Sequence, residues 1–197
     1  MFHNGIVYWY FKEAVSNDVI NKIEAAVKKI KFKKGTISNG EKTQYTIRDS
    51  DVKFLNDQFI YDAVMPLFQT ANKNAGWNFK YDWCESVQYT KYGKNQHYDW
   101  HVDMPSKLYK RKDPNFNNKT RKLSGTLLLN NSSEYTGGKF LIDFREHRQK
   151  ESVMEVKELQ NKGDLVIFPS YLWHKVTPVT KGVRKSLVIW TIGPQFS

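Results

Sequence analysis

Apolar and polar positions along this chain follow one rhythm up to about residue 80 and another after it. Gly5–Phe11 (GIVYWYF) is an unbroken apolar and aromatic run and predicts a strand. Ser16 or Asn17 is placed to cap a helix over about Asp18–Ile30, where Val19, Ile23, Ala26 and Ile30 recur at helical spacing. A lysine-rich turn from Lys31 to Gly35 follows, and Thr43–Arg48 predicts a further strand. Asn56–Asn72 predicts a second helix with Phe59, Ala63, Leu67 and Ala71 on one stripe. Gly76 stands just beyond it as a stop. From about Asp82 the pattern shortens to strands: Trp83–Tyr92, Tyr98–Val102, Leu123–Asn130, Lys139–Asp143, Asp164–Phe168, Lys175–Val179 and Lys185–Ile192. Gly93, Gly137-Gly138, Gly163 and Gly182 punctuate them. Helices first and strands afterwards predict a mainly β fold with flanking helices, a sandwich or jelly roll buttressed on one side. The aperiodic stretch Pro105–Lys122 carries Lys107, Lys110, Arg111, Lys112, Lys119, Arg121 and Lys122, and is expected to be a loop, with a lid as one role.

No repeat, low-complexity tract or linker interrupts the 197 residues, which suit one domain, 1–197, with helical support over about 1–80. Hydrophobic content of 40% and aromatic content of 15% exclude a disordered chain. The single cysteine, Cys84, excludes an internal disulfide and fits a reducing compartment. No stretch reads as a signal peptide or a membrane span, so the expectation is a soluble, cytoplasmic protein with no membrane partner. The net charge of +11 favours acidic partners, whether nucleic acid, an acidic peptide or a small anion; a solvated lysine-rich surface is the plainer alternative. Oligomeric state has no signature in the sequence.

The chemistry concentrates at His101-x-Asp103, His174 and Arg184-x-Ser186. Residues i and i+2 of a strand face one way, so His101 and Asp103 can reach one metal ion. Two imidazoles and one carboxylate form the facial triad of non-haem Fe(II) oxygenases, which leaves corners for a bidentate co-substrate and O2. Arg184 and Ser186 also share a strand face, where a guanidinium and a hydroxyl can hold the far carboxylate of 2-oxoglutarate. A lone histidine is most simply a hydrogen-bonded core residue; it is the order and spacing of the whole set that favour metal binding. A zinc hydrolase also uses two histidines and a carboxylate, but has no need of Arg184 and Ser186. His97 is expected to be second to the ligands, and His3 and His147 to lie on the surface. Trp100 and Trp173 adjoin the two histidines and can shape a substrate entrance. Cys84 reads as a small buried apolar residue.

The segments QYTKYGKNQHYDWHVD, LSGTLLLNNSSEYTGGKF and KGDLVIFPSYLWHKVTPVTKGVRKSLVIWTIGP resemble the prolyl 4-hydroxylase-like branch of the Fe(II)/2-oxoglutarate dioxygenases, in particular bacterial and phage PKHD-type hydroxylases. The similarity covers about Tyr81 to Pro194, and IRDSDVKFL (47–55) resembles their N-terminal part. The resemblance implies a double-stranded β-helix, or jelly roll, as the catalytic core over about 81–194. It implies His101, Asp103 and His174 as iron ligands and Arg184 with Ser186 on the co-substrate. Tyr89 matches a tyrosine that helps hold the co-substrate, with Tyr92 as its rival, and Tyr98 matches a position on the substrate side. A further family tyrosine is Leu128 here, which implies a drier pocket or a hydroxyl from Thr126 or Tyr89. Fe(II), 2-oxoglutarate and O2 are the implied cofactors, with ascorbate as a reductant. The implied substrate is a prolyl residue of a peptide or protein, an acidic one by the charge. Nucleic acid or a small metabolite is the alternative substrate, and nucleic acid is disfavoured because repair dioxygenases carry two arginines after the second histidine. A catalytically silent binding module is the alternative class.

Overall fold

The structure, a computed structural model, describes residues 5–36, 46–144 and 152–196. The first half supplies β1 (Trp9–Phe11), α1 (Asn17–Lys28), β2 (Lys33–Lys34), β3 (Arg48–Asp49), β4 (Asp51–Leu55) and α2 (Gln58–Asn74). The second supplies β5 (Trp83–Cys84), β6 (Val87–Tyr92), β7 (His97–His101), β8 (Thr120–Leu128), β9 (Tyr135–Gly137) and β10 (Phe140–Asp143). It continues with β11 (Val153–Glu155), β12 (Leu165–Pro169), β13 (Trp173–Val176), β14 (Val179–Gly182) and β15 (Arg184–Gly193). The larger sheet runs β1-β12-β8-β15-β6-β4-β2, with β5 paired to β15. The smaller runs β11-β10-β13-β7-β3, and β14 pairs with β9 separately. Two facing sheets with helices behind one of them are the expected jelly roll, with the helical support on one side.

Both helices form where the apolar spacing predicts them, and α1 is capped as well. The Ser16 hydroxyl accepts from the Val19 N–H, and Asp18 complements the helix dipole in the first turn of α1. The buried stripe is Ile20, Ile23 and Val27, and in α2 it is Ile60, Val64, Phe68 and Ala71. Most of each stripe lies one residue along from the expected one, because the apolar arc is broad and its middle, not its edge, meets the sheet. Phe59, Ala63 and Leu67 flank the core only partly buried. Ile30, expected on the first stripe, lies beyond the helix end and is exposed. Pro66 sits inside α2 on an exposed position, where the carbonyl it leaves unbonded can meet water.

Two apolar layers result. One, between helices and larger sheet, holds Ile20, Ile23, Phe68, Leu123, Leu127, Leu187 and Ile189. Gly125 makes the close approach possible: a Cβ there would stand 2.5 Å from the Phe68 ring. The other layer, between the two sheets, holds Tyr92, Leu128, Phe140, Ile142, Phe168 and Val179. Thr43–Tyr45 of the expected 43–48 strand, and His3 and His147, lie outside the described residues; of the rest, Thr46 and Ile47 form a turn and only Arg48 is strand, as the first residue of β3.

The expected loop at 105–122 ends sooner, because Thr120, Arg121 and Lys122 already belong to β8. It is hydrogen-bonded across its neck, with Tyr109 N–H donating to the Lys119 carbonyl and Asn118 N–H to the Tyr109 carbonyl, both at 2.9 Å. The Arg111 guanidinium lies over the Tyr109 and Phe116 rings. Lys119 pairs with Asp82, Arg121 with Glu85, and Lys122 is buried. Only Lys107, Lys110, Arg111 and Lys112 of the seven basic residues stand exposed. No helix among the described residues is long and apolar enough to cross a membrane.

Candidate metal centre

His101 and His174 are directly cross-strand neighbours on β7 and β13 of the smaller sheet. Their rings are 4.1 Å apart between centroids. Asp103 follows the end of β7 by two residues and is held by its backbone: its N–H and that of Met104 both donate to the Ser170 carbonyl, at 3.0 and 2.9 Å. The three side chains converge, with one ligand atom from each lying within 4.8 Å of the others. Asp103 Oδ1 is 3.8 Å from His101 Nε2, and Oδ2 is 3.4 Å from His174 Nε2.

Each histidine is oriented the same way. His101 Nδ1 lies 2.8 Å from the Asp99 carbonyl, and His174 Nδ1 lies 2.9 Å from the Leu172 carbonyl. A carbonyl only accepts, so Nδ1 carries a proton in both rings, and Nε2 of each faces Asp103. Burial, then the neighbouring His174, pushes the His101 pKa well below its ordinary value, which keeps the imidazole neutral as a ligand must be. Burial alone would raise Asp103. His174, His101, Arg121 and the Ser124 hydroxyl outweigh it and hold the carboxyl at about 2.

Arg184 and Ser186 approach from the larger sheet on β15. Arg184 is 1% exposed, and its Nη1 donates to the Ser186 hydroxyl at 2.9 Å. Alternation puts Val188 and Trp190 on this same face of β15. The antiparallel register sets Tyr92 opposite Arg184 and Thr90 opposite Ser186 on β6, and Leu128 opposite Ser186 on β8. The inner wall is therefore Arg184, Ser186, Tyr92, Thr90 and Leu128, with Thr126 beside Val188.

Tyr89, expected on the co-substrate, pairs with Leu187 on the opposite face. Its ring lies in the helix-side core and its hydroxyl donates to the Glu24 carboxylate at 3.2 Å. Tyr92 is the tyrosine beside Arg184: it packs in the inter-sheet layer with its ring 5.8 Å from the Arg184 guanidinium carbon. Burial raises the Tyr92 pKa against the pull of Arg48 and Arg184, so its phenol remains a donor. Leu128 does face the pocket and offers no hydroxyl.

Tyr98 lies at the triad. Its ring stacks on His101 with centroids 3.4 Å apart and planes 8° from parallel, and the Arg48 guanidinium lies 4.5 Å over it. Trp100 and Trp173 do not face the triad. Alternation turns Trp173 and Lys175 away from the His174 face of β13, and the Lys175 ammonium lies 4.8 Å over the Trp100 ring. Both tryptophans stand on the outer side of the smaller sheet, which corrects the expectation that they shape the entrance. His97 is no ligand: its ring nitrogens meet the Asn95 and Thr46 carbonyls. Cys84 is half-buried, with its thiol pushed up to about 12 by burial and Glu85.

Sequence reasoning did not anticipate Arg48, Glu85 or Ser124 near the site. Charged and hydroxyl residues in strands read as solvent-facing, and only the register turns them inward.

Two buried atoms test whether the site suits a metal and an anion. Asp103 Oδ2 and Arg184 Nη2 have no hydrogen-bond partner. Leaving a buried polar atom unpaired costs about 1–3 kcal/mol, more for a charged group. A cation between the triad atoms and a carboxylate at Arg184 would remove both costs. Two imidazoles with Nε2 turned inward, an ionised carboxylate and two missing partners therefore fit ferrous iron and a 2-oxoacid with a second carboxylate.

Comparisons with known proteins agree with this geometry. The model of the 2OG-Fe(II) oxygenase superfamily matches residues 87–192, more than half of the chain. The PKHD-type hydroxylase YbiX of Escherichia coli O157:H7 is 36% identical over 109 residues, which are 52% of this chain. The match spans only 40% of that relative's length. A Pseudomonas putida prolyl-4-hydroxylase superposes with a TM-score of 0.68 at 18% identity, covering 95% of this chain and 93% of that one. A Trichoplax adhaerens prolyl hydroxylase, in complex with a hypoxia inducible factor peptide fragment, gives 0.71 at 16% identity, covering 95% and 84%. The viral collagen prolyl hydroxylase of Paramecium Bursaria Chlorella virus-1 gives 0.65 at 18% identity, covering 96% and 98%.

Proposed function

We propose that this chain, which belongs to the 2OG-Fe(II) oxygenase superfamily, is an iron- and 2-oxoglutarate-dependent hydroxylase that acts on a prolyl residue of a peptide or protein. The observation that carries this reading is the pair of unpartnered buried atoms, Asp103 Oδ2 at the triad and Arg184 Nη2 on β15. Bound at the triad, ferrous iron with 2-oxoglutarate and O2 would supply oxidative decarboxylation to succinate and CO2 coupled to hydroxylation. The chain's own residues bind, orient and exclude water. His101 and His174 turn their Nε2 atoms to the metal position because two carbonyls engage Nδ1 of each ring. Asp103 contributes the negative charge, and the Ser170 carbonyl fixes where its backbone runs. Arg184, preset by Ser186, takes the distal carboxylate, and the Tyr92 phenol completes that end as a neutral donor. Leu128, Phe140 and Phe168 keep the interior apolar.

The prolyl substrate rests on the prolyl hydroxylases that share the fold and on the PKHD-type relative. Lys107, Lys110, Arg111 and Lys112 project from the loop that begins beside Asp103, which suits an acidic substrate segment. Ascorbate fits as a reductant of stray ferric iron and needs no site of its own.

The purified chain with Fe(II), 2-oxoglutarate and O2 should form succinate that disappears in His174→Ala. A member of a panel of acidic proline peptides should gain one oxygen atom by mass spectrometry. A chain that binds no Fe(II) and forms no succinate refutes the reading; oxygen added to another residue refutes the prolyl part.

A further inference from the structure

A second set of contacts reaches Asp103 from outside the triad. Arg121, on β8, donates from Nε and Nη2 to the two oxygens of Glu85, at 2.7 and 2.9 Å. Its remaining Nη1 donates to the Asp103 carbonyl oxygen at 3.3 Å. The guanidinium carbon lies over Trp190, 3.9 Å from the ring centroid. Glu85 is itself fixed, its N–H donating to the Trp190 carbonyl at 3.0 Å. Glu85 also serves a third element: Tyr109, in the basic loop, donates its hydroxyl to Oε1 at 2.9 Å. One carboxylate thus joins the loop to the arginine that holds the backbone of a candidate metal ligand.

Resting on the metal reading above, we propose that Arg121 is a positioning residue for Asp103, and that Glu85 couples metal binding to docking of the 104–119 loop. A planar guanidinium with all three nitrogens engaged has little freedom, so Asp103 is held where the histidines need it. If Tyr109 leaves, Oε1 loses a donor and Arg121 loses part of its constraint. Linkage makes the effect reciprocal: what loop docking does for metal affinity, metal binding does for loop docking.

Co(II), which takes the same ligands without turnover, is the probe. Partners outside the ligand set typically alter metal affinity about 10- to 100-fold. Arg121→Gln should therefore weaken Co(II) binding at least roughly 10-fold, with an altered visible spectrum. Tyr109→Phe removes one hydrogen bond far from the ligands and should weaken it about 3-fold. In the unmodified chain, Co(II) with 2-oxoglutarate should slow trypsin cleavage after Lys107, Lys110, Arg111 and Lys112, and Tyr109→Phe should abolish that protection. Tyr109→Phe deletes a single oxygen and keeps the test valid if Arg121→Gln unfolds. Native affinity and spectrum in both variants, or loop cleavage indifferent to metal, would overturn the coupling alone. Failure of the unmodified chain to bind Co(II) would overturn both this proposal and the metal site beneath it.

Discussion

Replacing Arg184 by methionine should move binding and stability in opposite directions. Arg184 heads the fully buried side chains, at 1% exposure, yet forms no salt bridge among the described residues. Nη1 has Ser186 and Nη2 has nothing. A buried cation without an anion is a destabilising group in the ligand-free protein, where its desolvation is uncompensated. Methionine has similar length, no charge and a flexible fit to the Phe140 and Val179 layer. Relieving the orphaned donor is worth about 1–3 kcal/mol, a rise of roughly 2–10 °C in the unfolding temperature of the metal-free chain. Removing one partner of a buried charge pair costs about 2–5 kcal/mol, so the affinity for 2-oxoglutarate should fall roughly 30- to 4,000-fold. Thermal unfolding by circular dichroism reads the first effect. The visible charge-transfer absorption of the anaerobic Fe(II) protein, titrated with 2-oxoglutarate, reads the second. A variant that is several degrees less stable while binding 2-oxoglutarate normally would show that Arg184 is a structural residue and that the pocket assignment is wrong.

The two tyrosines of β6 separate cleanly. Tyr92→Phe should weaken 2-oxoglutarate roughly 2- to 12-fold in the same titration. Tyr89→Phe should leave it unchanged and lower the urea midpoint instead, because its hydroxyl is spent on Glu24; the reverse outcome would invert the face assignment. Asp164, just before β12, contributes to acid stability. Burial would raise its pKa, but N–H donors from Asn161, Glu13 and Gln160, with the Lys12 ammonium, hold the carboxyl below its ordinary value. A depressed carboxyl contributes stability above its unfolded pKa of about 3.9 and loses it as pH falls through the folded value. Asp164→Asn should therefore be less stable than the native chain near pH 7, with the gap closing towards about pH 3. Urea midpoints with an unchanged gap would contradict this.

Why Tyr89 matched in sequence while Tyr92 lies beside Arg184 in space is a question of register. The triad itself was legible because its members sit close along the chain or carry a distinctive neighbour: His101 and Asp103 are two apart, and Arg184 and Ser186 share a face of one strand. Counting back from His101 to a tyrosine crosses Gly93–Gln96, where the chain turns, and the irregular pairing of β7 with β13 between His174 and Val176. Across such features parity is lost, and a slip of one residue exchanges one face of a sheet for the other. The reliable reference is Arg184, but it points to Tyr92 only once β6 and β15 are known to be antiparallel neighbours in that register. The helices show the same limit in milder form. Their existence and span followed from spacing and caps, whereas the buried stripes turned by one residue because only the sheet decides which part of a broad apolar arc it covers. Arg121 is the extreme case. Beside Lys119 and Lys122 it reads as one more charge in a basic loop, and nothing local distinguishes it. Its meaning is conferred by Glu85, 36 positions away in sequence, and by Trp190 across the sheet. Chemistry carried on a single strand could thus be read from the chain, while chemistry assembled between strands waited for the pairing.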